Sequence, residues 1–193
     1  GRAMFNYTWQ PSYDDVFDFY NGGGLDITFL GIGQLDKDGN INLDYFNDIL
    51  VGVGGALDIS FNAKKVVFAA PFTAGKRELK VADGKLHIIK EGPIKKFVNK
   101  VDSISISSVF LKQQREGVLY ITERCVFRLT AKGPELIEVA PGIDLEKDII
   151  QQMEFRPLIS DKLRTMDERL FRSGKMGLAK EALGARPKGV SRD

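Results

Sequence analysis

The segment Gly52-Val53-Gly54-Gly55-Ala56-Leu57-Asp58 puts three glycines into four residues just before a stretch that reads as a short helix or turn. Backbone that dense in glycine brings bare N–H groups close to a bound oxygen. Donors aimed in that way stabilise the oxyanion that develops when an acyl group is transferred. The same residues would equally make a tight strand-to-helix connection with no ligand, because a short glycine motif is weak evidence on its own. Two further loops have the composition to meet a ligand. One is Gly31-Ile32-Gly33-Gln34 with the nearby turn Gly39-Asn40-Ile41-Asn42; the other is Pro71-Phe72-Thr73-Ala74-Gly75-Lys76.

Apolar runs alternate with turns and place these loops. Leu25 to Gly31 and Lys65 to Ala70 are continuous apolar runs, read as strands buried on both faces. Lys37-Asp38-Gly39-Asn40 is a turn, and Glu78 to Lys90 a hairpin reversing at Asp83-Gly84. Ile104 to Leu111, Val118 to Leu129 and Glu135 to Ala140 complete the predicted strands. Asp144 is an N-cap, and Leu145, Ile149, Ile150 and Met153 form the apolar stripe of a helix that Pro157 stops. Ala179 to Leu183 is weakly helical. Together these predict an α/β fold: an open mixed sheet with flanking helices and an antiparallel hairpin portion. Ligands of such sheets sit at the carboxyl ends of the strands.

The bulk properties narrow the function. At 193 residues one domain is favoured, read as residues 1–171 followed by a basic tail over 172–193 that is poorly ordered. That tail holds Arg172, Lys175, Lys180, Arg186, Lys188 and Arg192 against Glu181 and Asp193. The net charge of +2 is too small for a nucleic-acid footprint. No apolar run reaches the roughly 18 residues of a membrane span, and the start has no signal-peptide pattern. Beginning at Gly1 and not Met, the sequence reads as a truncated or processed piece. Cys125 is the sole cysteine, which fits the cytoplasm or another reducing compartment. It lies in an apolar run and reads as a buried, inert thiol. His87, the sole histidine, alternates along a hairpin strand and faces solvent. No metal-ligand cluster and no phosphate-loop spacing is present. Phe5, Tyr7, Trp9, Tyr13, Phe17, Phe19 and Tyr20 crowd the first twenty residues as an apolar anchor.

Several segments, in order, resemble the second half of a family I coenzyme A transferase, nearest its acetate/propionate branch. They are Gly22-Gly23-Gly24-Leu25-Asp26 with Phe29-Leu30-Gly31; Gly39-Asn40-Ile41-Asn42; Gly52 to Asp58; and Lys65-Val66-Val67-Phe68 leading to Phe72-Thr73-Ala74-Gly75. Ile121-Thr122-Glu123-Arg124-Cys125-Val126-Phe127 and Leu136 to Leu145 follow. The resemblance implies a CoA-transferase-like domain that meets a second, similar domain or subunit, in an oligomer, to form the site. It implies acyl-CoA:carboxylate CoA transfer between short-chain acids such as acetate or propionate. That chemistry is ping-pong through a glutamyl-CoA thioester. No cofactor is held permanently; the coenzyme A thioester is a substrate. The family's nucleophilic glutamate falls before the position matching Gly1, so another segment or chain must supply it.

Carried over by resemblance, Gly54 and Gly55 are the oxyanion N–H candidates. Asn42 bonds a substrate carboxyl group or braces its turn. Glu123 orients a polar neighbour or is a structural acid. Thr73, Gly75 and Lys76 border the CoA channel, with Lys76 or Arg77 near a phosphate. Glu91, in Lys90-Glu91-Gly92-Pro93, is read as an exposed hairpin acid. Two alternatives use the same residues: a non-catalytic CoA-binding or assembly module, and an acyl-CoA hydrolase.

Overall fold

In the computed structural model the described residues are 12–113 and 117–184. Helix α1 (Tyr13–Asn21) opens on a capping box. The Ser12 hydroxyl accepts from the Asp15 amide at 3.2 Å, and the Asp15 carboxylate accepts from the Ser12 amide at 3.1 Å. Strand β1 (Ile27–Leu30) follows, then a small layer of β2 (Gln34–Asp36) and β3 (Ile41–Asn42). The turn between these two is held by Asp36, whose Oδ1 accepts from the amides of Asp38 and Asn40 at 3.0 and 2.9 Å. Strands β4 (Tyr45–Phe46) and β5 (Ile49–Leu50) form a hairpin whose tip residues, Asn47 and Asp48, both have positive φ. That pairing suits the twist of a two-residue hairpin loop.

Helix α2 (Ala56–Phe61) leads into β6 (Lys65–Ala69). Beyond β7 (Thr73–Ala74), the hairpin of β8 (Glu78–Ala82) and β9 (Lys85–Lys90) reverses at Asp83-Gly84 as expected. Strand β10 (Ile94–Lys95) returns antiparallel to β7, and β11 (Phe97–Val98) runs parallel to β2. Helix α3 (Ser108–Leu111), β12 (Val118–Ile121), β13 (Cys125–Thr130), β14 (Gly133–Val139), β15 (Leu158–Thr165) and α4 (Leu178–Gly184) complete the order.

The main sheet runs β1-β6-β12-β13-β14-β15. Its first three strands are parallel, with Phe29 opposite Val67 and Val67 opposite Leu119. β13 is antiparallel to both neighbours, and β15 pairs parallel to β14. This is the open mixed sheet with flanking helices and an added hairpin that the sequence implies. The core packs Val66, Phe68, Tyr120, Phe127 and Leu136 of this sheet against Leu35, Ile41 and Phe97 of the small layer. The Tyr120 hydroxyl donates to the Gly39 carbonyl at 3.1 Å and ties the two layers.

Several local expectations are corrected. β1 is an edge strand, not one buried on both faces: Thr28 is buried while Phe29 is 66% exposed. Ile104 to Leu111 is not a strand. Ile106 makes one bridge to Ile41, and Ser107 then caps α3 by accepting from the Val109 amide at 3.3 Å. Val118 to Leu129 is two strands, separated at Thr122-Glu123-Arg124. Asp144 is the predicted N-cap, accepting from the Lys147 amide at 2.7 Å, but it opens a π-helical turn (Leu145–Ile149) and a 3-10 turn (Ile150–Gln152). β15 escapes the sequence reading because it is largely polar and exposed, with no apolar alternation to mark it.

Beyond the sheet, Arg172 pairs with Glu168, and Arg169 pairs with Asp167 and with Glu181 of α4. Residues 185–193 of the basic tail, and Phe5, Tyr7 and Trp9 of the aromatic segment, lie outside the described residues. His87 is exposed, and Cys125 is fully buried.

Candidate active site at the carboxyl end of the sheet

The three parallel strands end side by side. β1 runs into Gly31-Ile32-Gly33, β6 into Ala70-Pro71-Phe72-Thr73, and β12 into Thr122-Glu123-Arg124. The last turn is built by one hydroxyl. Thr122 Oγ1 donates to the Cys125 carbonyl at 2.9 Å and accepts from the Cys125 amide at 3.0 Å and the Arg124 amide at 3.3 Å. A buried hydroxyl satisfied in this way fixes the reversal and sends the Arg124 side chain inward.

Arg124 is the largest fully buried side chain and the hub of the cluster. Its Nη1 and Nη2 donate to Glu91 Oε2 and Oε1 at 2.8 and 3.1 Å, and Nε donates to Glu123 Oε1 at 3.1 Å. Nη1 also reaches the Asp148 carbonyl at 2.8 Å, and the guanidinium carbon stands 4.6 Å from the Phe72 ring centre. Burial opposes the charge on Arg124, but the Glu91 hydrogen bonds outweigh it and hold the guanidinium protonated. Burial likewise raises the Glu91 carboxyl, yet the Arg124 and Thr73 hydrogen bonds win and its pKa lies below the usual carboxylate value.

Each sequence-predicted residue has a definite place. The Glu123 carboxylate spans Arg124 and the Phe72 amide, which it accepts at 2.9 Å; it orients the loop after β6. Thr73 is buried and donates to Glu91 Oε1 at 2.5 Å. Gly75 has φ +88, and a Cβ there would sit 2.9 Å from Pro93 Cδ. Lys76 is exposed beside it.

Asn42 is buried with its amide fully engaged: Nδ2 donates to Gln34 Oε1 and the Tyr45 carbonyl, both at 2.7 Å, while Oδ1 accepts from the Asp44 and Tyr45 amides. These bonds brace the turn into β4. Gly54 and Gly55 lie just ahead of α2. Gly54 has φ +55 and open space where a Cβ would stand, whereas a Cβ on Gly55 would meet the Phe17 ring at 2.7 Å. Among the described residues neither amide donates a hydrogen bond.

Three residues of this end escape the sequence reading. Glu91 is not an exposed hairpin acid; its side chain is 26% exposed and gripped by Arg124. Arg124 stands beside Glu123 between the apolar stretches of β12 and β13, and that adjacent charge pair is the available signal. Lys96 is buried at 8% exposure between Ile94 and Phe97, and among the described residues its ammonium has no hydrogen-bond partner. Burial, helped by the nearby Arg77 charge and opposed by Glu123, lowers its pKa to about 8. Among the described residues no group of three or more His, Cys, Asp or Glu is placed to hold a metal ion, and no helix is long and apolar enough to cross a membrane.

No protein-family model matches the chain. It is 47% identical over 176 residues to an acetate CoA-transferase, YdiF, of Escherichia coli O157:H7, an alignment covering 91% of this chain and 32% of that protein. It is 44% identical to a caffeate CoA-transferase of Acetobacterium woodii over 88% of this chain and 33% of the relative. The crystal structure of the E. coli O157:H7 acyl-CoA transferase YdiF superposes with a TM-score of 0.82 at 46% identity, covering 84% of this chain and 32% of that one; that enzyme has also been solved as a thioester complex with CoA. The chain thus spans about a third of the length of the relatives it matches. Over that span it is a close relative of coenzyme A transferases in both sequence and fold.

Proposed function

We propose that this chain is part of an acyl-CoA:carboxylate CoA transferase for short-chain acids such as acetate or propionate. The observation that carries the reading is the 47% identity to an acetate CoA-transferase over nine-tenths of the chain. The arrangement of groups is chemically consistent with it. The amides of Gly54 and Gly55, which donate no hydrogen bond among the described residues, serve as oxyanion donors in this reading, and the Arg124–Glu91–Glu123 cluster fixes the loops at the sheet's carboxyl end.

The attacking group is a glutamate carried by a segment outside these 193 residues, on the same polypeptide or a partner subunit. It displaces CoA thiolate from the acyl thioester as an acyl anhydride forms. The thiolate then attacks the glutamyl carbonyl of that anhydride, expelling the first acid as its carboxylate and leaving a glutamyl-CoA thioester; a second carboxylate takes the CoA through the same steps in reverse, freeing the glutamate. Coenzyme A thioester is a substrate, and no cofactor is held permanently. Thr73, Gly75 and Lys76 border the CoA channel in this reading, Thr73 through its hold on Glu91. The assembly is an oligomer working in the cytoplasm or another reducing compartment.

The test uses the full-length gene product. Incubation with acetyl-CoA followed by borohydride should reduce one glutamyl thioester to an alcohol, found by peptide mass spectrometry. Absence of any labelled glutamate, with acyl-CoA still consumed, would overturn the transferase reading in favour of hydrolysis.

A further inference from the structure

A cavity of about 340 Å³ opens where the β1 and β7 loops approach the hairpin of β4 and β5; its walls include Ile32, Gly33, Phe46, Ala74, Ile94 and Lys96. Four of these six are apolar, and Gly33 lies so close to Phe46 that a Cβ there would meet its ring at 2.1 Å. The polar remainder is largely committed. Gln34 is bonded to Asn42 and to Asp102, whose carboxylate accepts from Gln34 Nε2 at 2.8 Å. The Lys95 ammonium donates to the Gln151 and Met153 carbonyls at 3.0 and 3.2 Å. Lys96 differs. It is more than nine-tenths buried and its ammonium donates to nothing among the described residues. Among the described residues no buried side-chain nitrogen or oxygen lacks a partner, so the ammonium tip opens to the cavity, where a bound anion would offset the cost of a largely desolvated charge.

We propose that Lys96 seats the carboxylate of the short-chain acid, whose alkyl part lies against Ile32, Phe46, Ala74 and Ile94. The cavity wall carries two cations, Lys95 and Lys96, and one anion, Asp102, for a net charge of +1. That balance matches a monocarboxylate and is too small for the several phosphate charges of coenzyme A. The volume lies at the low end for small-molecule pockets, which run from roughly 300 to 1,000 Å³. Naming the anion as an acid substrate rests on the transferase reading; the site itself does not.

Acylation of Lys96 by limiting N-hydroxysuccinimidyl acetate, read by peptide mass spectrometry on the full-length protein, tests the seat without relying on turnover. Propionate should slow modification of Lys96 severalfold while exposed Lys76 is unaffected, and free coenzyme A should not. Protection by coenzyme A alone identifies a phosphate seat and overturns the proposal, as does protection by neither. In steady state Lys96→Met should raise KM for propionate about tenfold or more, with KM for acyl-CoA little changed and Lys96→Arg restoring much of the loss. Equal loss for both substrates in Lys96→Met overturns the proposal. Protection by propionate in a protein that transfers no CoA leaves the seat standing and removes the transferase reading instead.

Discussion

Arg124 and Glu91 meet in a two-pronged ion pair, Nη1 to Oε2 at 2.8 Å and Nη2 to Oε1 at 3.1 Å, although 33 residues separate them in sequence. The arginine is wholly buried and the glutamate half-buried, so the pair ties the end of β9 to the turn before β13. Glu123, Thr73 and the Phe72 ring complete its surroundings, which makes one guanidinium the brace for three loops.

Removing one partner of such a pair leaves a buried charge short of compensation. Glu91→Gln should destabilise the fold by about 3 kcal/mol, read from guanidinium denaturation midpoints at pH 7. The pH dependence follows from the sign of the shift. The folded carboxyl titrates below its ordinary value of 4.5, so the unfolded chain binds more protons as pH falls through that region. The stabilisation is present above about pH 4.5 and is lost as pH drops through the folded pKa. The gap between wild type and Glu91→Gln should therefore close in acid; a gap constant from pH 7 to pH 3 would contradict the pairing.

Gly54 and Gly55 should respond differently to alanine. A Cβ on Gly54 meets open space, and its φ of +55 is the whole difficulty, costing roughly 1–2 kcal/mol. At Gly55 the new Cβ would stand 2.7 Å from Phe17 Cε1, so the Phe17 ring must give way. Gly55→Ala should lose about 1–3 kcal/mol, and Phe17→Leu in the same chain should recover part of it. Thermal melts of the four proteins decide the matter: no recovery in the double variant would mean that the ring is not the obstacle.

Cys125 should be silent. Its thiol is fully buried and titrates far above the ordinary range because burial disfavours the thiolate. Iodoacetamide at pH 8.5 should leave native protein unmodified and alkylate one thiol after unfolding in urea, as intact mass will report. Rapid native alkylation would place the thiol in an accessible, electropositive setting that the structure does not contain.

The fold was readable wherever an apolar period was long. Lys65 to Ala70 and the Asp83-Gly84 hairpin carry their own signals, and Asp144 is the N-cap its spacing implies. Failures have local causes. Thr122 divides Val118 to Leu129 because one hydroxyl takes three bonds and turns the chain at the polar Thr122-Glu123-Arg124 step. Ser107 turns the second half of Ile104 to Leu111 into the short helix Ser108–Leu111 by capping it. At the site, glycine marked the amides near α2. Glu91, just past β9, and Lys96, between β10 and β11, were hidden because a charged residue beside other charges in a strand connection reads as solvated surface. Their burial is created by β7 and β2 packing across them, contacts between segments far apart in sequence.

Lys96 gives the final expectation, because its charge is largely desolvated and only partly offset by Glu123. Its folded pKa of about 8 lies below the ordinary lysine value of 10.5. Below pH 8 both states are protonated and the fold carries the whole cost of the buried ammonium. Between 8 and 10.5 the unfolded chain binds the extra proton, so stability rises with pH until both states are neutral. Lys96→Met should thus be more stable than wild type at pH 7 by about 1–3 kcal/mol, with the advantage fading toward pH 10.5. Propionate should raise the melting temperature of wild type at pH 7 and leave Lys96→Met unmoved, since a ligand stabilises only the state that binds it. Equal stabilisation of both proteins would detach the acid from this ammonium, and a variant no more stable than wild type would mean that water already meets the charge.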